Sequence, residues 1–174
     1  YYAKDAWAIL QSGYERNWSE GANDLLAKGD TSGMLDTPSF VVHPPLGKLL
    51  IGVGEHLFGM TPFGWRFAAV VFGSLLVFFT IRLARRLSRS TLIGAVAGLL
   101  LTFDGLAFVM SRLALLDVFQ ATFAVAAVAA LVADRDWFRN KLADHLERRQ
   151  LPDLEGRFGP LLLWRPWRVA AGVL

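Results

Sequence analysis

Apolar residues recur at helical spacing from the first positions of the chain. Ala3, Ala6, Trp7, Leu10 and Tyr14 form one stripe, while Lys4, Asp5, Gln11, Ser12, Glu15 and Arg16 fill the other side. This pattern predicts an amphipathic helix over residues 1–20. It is too polar to span a bilayer. It suits a helix lying in the interface with Tyr1, Tyr2, Trp7 and Trp18 at headgroup depth, although a surface helix of a soluble domain has the same pattern. Residues 21–42 read as a loop rich in Gly, Asp, Ser and Thr. Pro45 then suits the first position of a short second helix through Phe58, where a missing N–H is harmless. With Lys48, Glu55 and His56 in it, that helix reads as interfacial.

Thr61-Pro62 is a cap followed by a first-turn proline. From Pro62 to Ile81 the chain is apolar apart from Arg66, and as a helix these residues reach about 30 Å, the thickness of the hydrocarbon core. The span ends in Arg82, Arg85, Arg86 and Arg89. Residues 91–133 carry two more apolar stretches, interrupted by Asp104-Gly105, Ser111-Arg112 and Asp117. The turn between them falls at Asp104-Gly105 or at Ser111-Arg112, and the pattern leaves both open. Gly94 and Gly98 form a Gly-x-x-x-Gly pair, the ordinary mark of close helix packing. Residues 134–168 are polar again, with Pro152, Gly156, Gly159, Pro160 and Pro166 punctuating them, and Val169 to Leu174 opens another apolar run.

The expected organisation is therefore an all-α, polytopic membrane protein with interfacial amphipathic helices and about three transmembrane helices. Residues 1–61 form an external interfacial region, and 62–133 form the membrane helices with an Arg-rich cytoplasmic turn at 82–90. Residues 134–168 form a cytoplasmic loop, and 169–174 begin a further span. Both ends look cut, as in an internal piece of a larger membrane protein. Composition agrees with this organisation: 54% of the residues are apolar and 19% charged, against roughly 45–50% and 25% for soluble domains.

Charge sets the orientation. Residues 1–48 carry four basic and six acidic residues, whereas 134–168 carry Lys141 and seven arginines against six acids. The positive-inside rule puts both Arg-rich segments in the cytoplasm, and 1–61 and 104–117 together outside. The net charge of +3 is too small and too scattered for a nucleic-acid surface, so no nucleic-acid partner is expected. The absence of cysteine excludes disulfides, thiolate zinc sites and cysteine nucleophiles.

One external face then gathers His43, Lys48, Glu55, His56, Arg66, Asp104, Arg112 and Asp117. Ionisable groups in or beside apolar spans usually line a cavity or pair with one another. Cations can hold a phosphate while carboxylates handle hydroxyl protons. Each has a plainer explanation: Arg66 can snorkel to the interface, Asp104 before Gly105 suits a turn, and Asp117 suits a structural ion pair. His43, His56, Glu55 and Asp36 lack a metal-ligand spacing, so no metal is assigned. Asn17-Trp18-Ser19 is a weak glycosylation pattern.

His43-Pro44-Pro45-Leu46-Gly47-Lys48, Trp65-Arg66, and Phe103-Asp104-Gly105 followed by Ser111-Arg112-Leu113-Ala114-Leu115-Leu116-Asp117 add a further signal. Together these stretches resemble the protein O-mannosyltransferase family, most of all its actinobacterial members. The resemblance implies a C-type glycosyltransferase fold. It implies transfer of mannose from polyprenyl-phosphate-mannose or its dolichyl counterpart to Ser or Thr hydroxyls of secreted proteins, at the extracytoplasmic membrane face. A carboxylate base activates the hydroxyl, the sugar carbon inverts, and lipid phosphate leaves. No cofactor is implied. The family's acidic pair, which supplies the base, precedes the segment matching Tyr1-Tyr2-Ala3-Lys4, so the catalytic residue is expected before Tyr1 and the chain alone is expected to be inactive. By the same resemblance Arg66 matches an arginine at the start of the second span, and His43 and Lys48 match the loop beside the active site. Charge type and the common face make Lys48 and Arg112 the expected donor-phosphate groups, with Asp117 orienting them and His43, Arg66 and Asp104 supporting the site. A transferase using another lipid-linked sugar, or a membrane transporter or scaffold, remains the alternative.

Overall fold

The computed structural model describes residues 2–149 and 165–174; the readings on Tyr1, Pro152, Gly156, Gly159 and Pro160 lie outside the described residues. The first stripe forms α1 (Tyr2–Ser12), with Ala6 and Ala8 buried. The helix stops earlier than its amphipathic pattern predicts. Gly13 takes the left-handed conformation, φ 79°, and its N–H reaches the Ile9 carbonyl at 2.8 Å, a glycine termination that β-carbon sterics deny most residues. Beyond it lies β1 (Arg16–Trp18). The expected loop contains α2 (Ala22–Ala27) and β2 (Met34–Pro38), and β2 pairs antiparallel with β1 in the register Arg16↔Pro38 and Trp18↔Met34. Pieces of three to six residues show too little periodicity to be read in advance. Long-range side-chain bonds hold this small sheet. Arg16 Nε donates to the Leu35 carbonyl at 2.8 Å, and Asn17 Nδ2 donates to Thr37 Oγ1 and the Pro38 carbonyl.

Pro45 opens α3 (Pro45–Phe58), which packs along α1. Thr61 caps α4 (Pro62–Ser88) by accepting from the Gly64 N–H at 3.1 Å. The helix runs on through Arg82, Arg85 and Arg86, so these arginines occupy its last turns and the reversal comes only at Arg89-Ser90, with Arg89 at φ 56°. Arginine is a good helix former and its charge suits the C-terminal dipole.

Of the two candidate turns further along, the first is a break at Asp104, while Ser111-Arg112 is still helical and the second break comes just after it. Helix α5 (Thr91–Phe103) ends at Asp104, whose carboxylate caps α6 (Gly105–Arg112) by accepting from the Ala107 N–H at 2.7 Å. A second break, Leu113 to Leu116, precedes α7 (Asp117–Arg149); α8 (Pro166–Val173) follows, with a proline in its first turn. Helix α4 and residues Asp117–Asp144 of α7 are long and apolar enough to cross a membrane, and α5 with α6, bent by 62°, makes a third if counted as one span. Phe78, Leu92, Leu99 and Leu100 are exposed along these helices, as lipid-facing side chains are. The protein is a helical, multi-pass membrane protein with a minor two-stranded sheet.

The chain divides into two units. One comprises the chain as far as Leu76 together with Leu101–Thr122; the other comprises Val77–Leu100 and the chain from Phe123 onward. In the second unit the Gly-x-x-x-Gly pair does what its spacing predicts. A Cβ on Gly98 would sit 2.3 Å from Ile81 Cγ1, and one on Gly94 would sit 2.9 Å from Arg85 Cβ, so α5 lies directly on α4. Nearby, Arg165 and Arg168 both bind the buried carboxylate of Asp134.

Candidate active site

The polar residues of the His43–Lys48 stretch hold α1 in place. Pro44 is extended at φ −55°, ψ 143°, and Pro45 starts the helix, so Lys48 falls at the end of its first turn. A helical side chain leans towards the N-terminus of its own helix. Lys48 is only 1% exposed, and its Nζ lies 2.7 Å from Glu15 Oε1 and 3.0 Å from Asp5 Oδ2. Burial alone would lower the pKa of this ammonium, but the hydrogen bonds and charges of Glu15 and Asp5 outweigh it and raise the pKa. His43 Nε2 pairs with the Tyr2 hydroxyl at 3.2 Å, and the two rings meet edge-on. The two ends of the stretch thus grip the beginning of α1.

The same stretch touches the Ser111–Asp117 turn. A Cβ on Gly47 would lie 2.7 Å from Leu116 Cδ2 and 3.4 Å from a Phe119 ring carbon. That turn carries a left-handed, non-glycine residue: Ala114, φ 53°, 2% exposed. A conformation of this kind is held by its surroundings at a local energetic cost of about 1–2 kcal/mol. Between α1 and this turn lies a cavity of about 320 Å³, whose walls include Tyr2, Lys4, Met60, Trp65, Leu113 and Leu115. It falls at the low end of ligand-sized pockets.

The remaining expected residues are not drawn into one cluster. Arg66 is exposed in the second turn of α4, directly after the cavity-lining Trp65. Arg112 is exposed at the end of α6, its guanidinium 5.1 Å from the centre of the Phe108 ring. Asp117 is exposed at the start of α7, and Asp104 serves as a helix cap. No hydrogen bond or ion pair joins Arg66, Asp104, Arg112 and Asp117 to one another among the described residues. Sequence reasoning placed Asp5 and Glu15 on the solvent side of a helix and missed their task. A lysine in the apolar run Leu46 to Val53 does signal a carboxylate partner, but nothing local says which one.

Glu55, expected on the external polar face, is fully buried on the same side of α3 as Lys48 and Ile51. Neither of its oxygens has a hydrogen-bond partner among the described residues, and burial pushes its pKa up to about 8. The sign of the resulting pH effect follows directly. In the unfolded chain the carboxyl ionises near 4.5, in the folded protein near 8. Between those values the unfolded state has lost a proton that the native state keeps, so stability falls as pH rises and levels off above about 8. The apparent Tm is expected to drop by several degrees between pH 5 and pH 8, and Glu55→Gln is expected to flatten that slope. Parallel Tm–pH curves for the two proteins would mean that Glu55 ionises in the folded protein no higher than its ordinary value.

Comparison with known proteins places these features in context. Residues 42–142 match the family model described as dolichyl-phosphate-mannose-protein mannosyltransferase. The chain is 46% identical over 176 residues to the polyprenol-phosphate-mannose–protein mannosyltransferase of Mycolicibacterium smegmatis and 42% identical over 181 residues to that of Mycobacterium tuberculosis; each alignment covers 100% of the chain and 30% of the relative. For the protein of that name from Corynebacterium glutamicum the identity is 41%, covering 99% of the chain and 31% of the relative. The chain therefore spans about a third of the length of these relatives. No solved structure matches it.

Proposed function

This chain belongs to the dolichyl-phosphate-mannose-protein mannosyltransferase family, and from that premise we propose that the complete protein moves mannose from polyprenyl-phosphate-mannose to Ser or Thr hydroxyls of secreted proteins at the extracytoplasmic membrane face. The names of the actinobacterial relatives support the donor and the acceptor class. The charge asymmetry between residues 1–48 and the Arg-rich segments supports the face.

In this reaction a carboxylate takes the proton of the acceptor hydroxyl. Its oxygen bonds to the anomeric carbon from the side opposite the phosphate, and the carbon–phosphate-oxygen bond breaks. Charge grows on the departing polyprenyl phosphate, where cations lower the barrier most. Arg66 and Arg112 suit that task, being exposed and free of carboxylates among the described residues. Lys48 was expected to join them, but its ammonium is shared by Asp5 and Glu15. We assign it instead, with His43, to positioning α1. Asp104 shapes the chain before α6, and Asp117 stands beside the turn.

The observation that carries this reading is the packing of the His43–Lys48 stretch against both α1 and the Ser111–Asp117 turn, next to a cavity lined by Trp65. Full-length protein supplied with labelled polyprenyl-phosphate-mannose is expected to mannosylate a Ser/Thr peptide with inversion. Arg66→Ala and Arg112→Ala are each expected to slow turnover tenfold or more, in line with the loss of one charge-stabilising group. Equal turnover by a well-folded Arg112→Ala protein would remove that residue from the site, and transfer from a different lipid-linked sugar in place of mannose would replace the donor.

A further inference from the structure

We propose that the C-terminal end of α4 carries a phosphate-binding site for the headgroup of an anionic lipid. Arg82, Arg85, Arg86 and Arg89 follow one another at intervals of three, one and three, which sets them along one side of the helix. With Thr91 and Ala129 they frame a cavity of about 390 Å³, a size usual for small-ligand sites. Like charges three and four residues apart on a helix repel. Here that repulsion is barely relieved from within. Arg86 Nε reaches Asp136 at 3.4 Å, in an exposed pair, and Arg82 lies over the Phe78 ring at 5.9 Å. No carboxylate pairs with Arg82, Arg85 or Arg89 among the described residues.

Three unpaired guanidinium groups around one hollow are a strong match for a phosphate, whose oxygens accept paired N–H donors. The start of α5 makes the hollow rigid, because Gly94 lets that helix come within contact of the Arg85 stem. Position favours a lipid as the source of the phosphate. The 20 residues from Pro62 to Ile81 already cross about 30 Å of hydrocarbon, so Arg82 and the residues after it emerge among the headgroups. Anionic lipids are concentrated there and attract clustered arginines. The dipole at the end of α4 and the solubility of an Arg-rich turn explain basic residues in general; they do not explain a hollow ringed by four of them.

The test uses full-length protein in nanodiscs of phosphatidylcholine, with and without phosphatidylglycerol, and reads the apparent Tm. Phosphatidylglycerol is expected to raise it by several degrees, and Arg85→Gln/Arg89→Gln is expected to lose at least half of that rise. Arg139→Gln/Lys141→Gln, which removes the same charge from α7, is expected to keep it. Millimolar inorganic phosphate or glycerol phosphate in pure phosphatidylcholine discs separates the sources. No rise with either supports the lipid headgroup, whereas a full rise that depends on Arg85 and Arg89 keeps the phosphate site but assigns it a free anion. A rise absent from the native protein, or lost equally in both double variants, overturns the proposal.

Discussion

Lys48→Met in the full-length protein is expected to destabilise the fold by about 3–5 kcal/mol and to abolish most mannosyl transfer. The magnitude is that of removing one partner from a buried ion pair. Glu15 is 5% exposed, and Lys48 is its only ionic partner among the described residues, so the variant leaves a carboxylate in a dry setting with nothing to neutralise it. Asp5 is less affected, since a quarter of its side chain still meets solvent. Glu15→Gln should be milder than Lys48→Met, because Asp5 still neutralises the ammonium. Lys48→Met/Glu15→Gln should recover more than half of the lost stability, as neutral replacements of buried pairs often do. Activity then separates two roles for the lysine. If Lys48 positions α1, transfer returns with stability in the double variant; if it touches the donor phosphate, the protein folds and transfer stays low. The first outcome is expected, since Nζ has both carboxylates within hydrogen-bond reach and almost no exposed surface.

The helical, membrane-crossing character of the chain was legible because its signals are long. The stretch from Pro62 to Ile81 has one charge, and no local interaction competes with that pattern. Helix starts at Pro45 and Pro62 were equally readable, since proline fixes φ and gives up a donor that the first turn does not use. The turn between the later helices could not be chosen from Asp104-Gly105 and Ser111-Arg112 because the chain breaks twice, at Asp104 and again at Leu113–Leu116, just past the second candidate. Asp104 caps one helix, while Ala114 adopts a left-handed conformation that its residue type does not announce. The small sheet was illegible for another reason: β1 and β2 are held by Arg16 and Asn17 reaching some 20 residues along the chain, and long-range pairs leave no local period. The site was legible as a set of residue types and only partly as geometry. Lys48 stands out as a cation in an apolar run and is expected at the donor phosphate, whereas the carboxylates that hold it lie 43 and 33 residues away and leave no local signal.

Gly54→Ala is expected to be among the most damaging single-methyl substitutions at the described glycines, destabilising the protein by about 3 kcal/mol or more even though alanine is the better helix former by about 1 kcal/mol. A Cβ on Gly54 would stand 2.2 Å from the Gly64 carbonyl oxygen and 3.2 Å from Phe67 Cβ. Ordinary contact for such atoms lies near 3.5 Å. The obstruction is backbone, which cannot swing aside as a side-chain tip can, so α3 and α4 must separate by about an ångström or more. Gly105→Ala is the matched control: its Cβ would meet nothing within 4 Å, and the higher helix propensity is expected to leave the protein unchanged or slightly more stable. Thermal unfolding of both variants in detergent checks the contrast, and equal midpoints would show that α3 and α4 part freely. Function should suffer more than folding. Trp65 and Arg66 follow Gly64 in α4, while Lys48 lies on α3, so separating these helices moves the wall of the cavity away from the residues that hold α1. On the proposed function, a full-length Gly54→Ala protein that remains folded at low temperature is therefore expected to transfer mannose at least tenfold more slowly than the native full-length protein, because misplacement of about an ångström has effects of this size or larger.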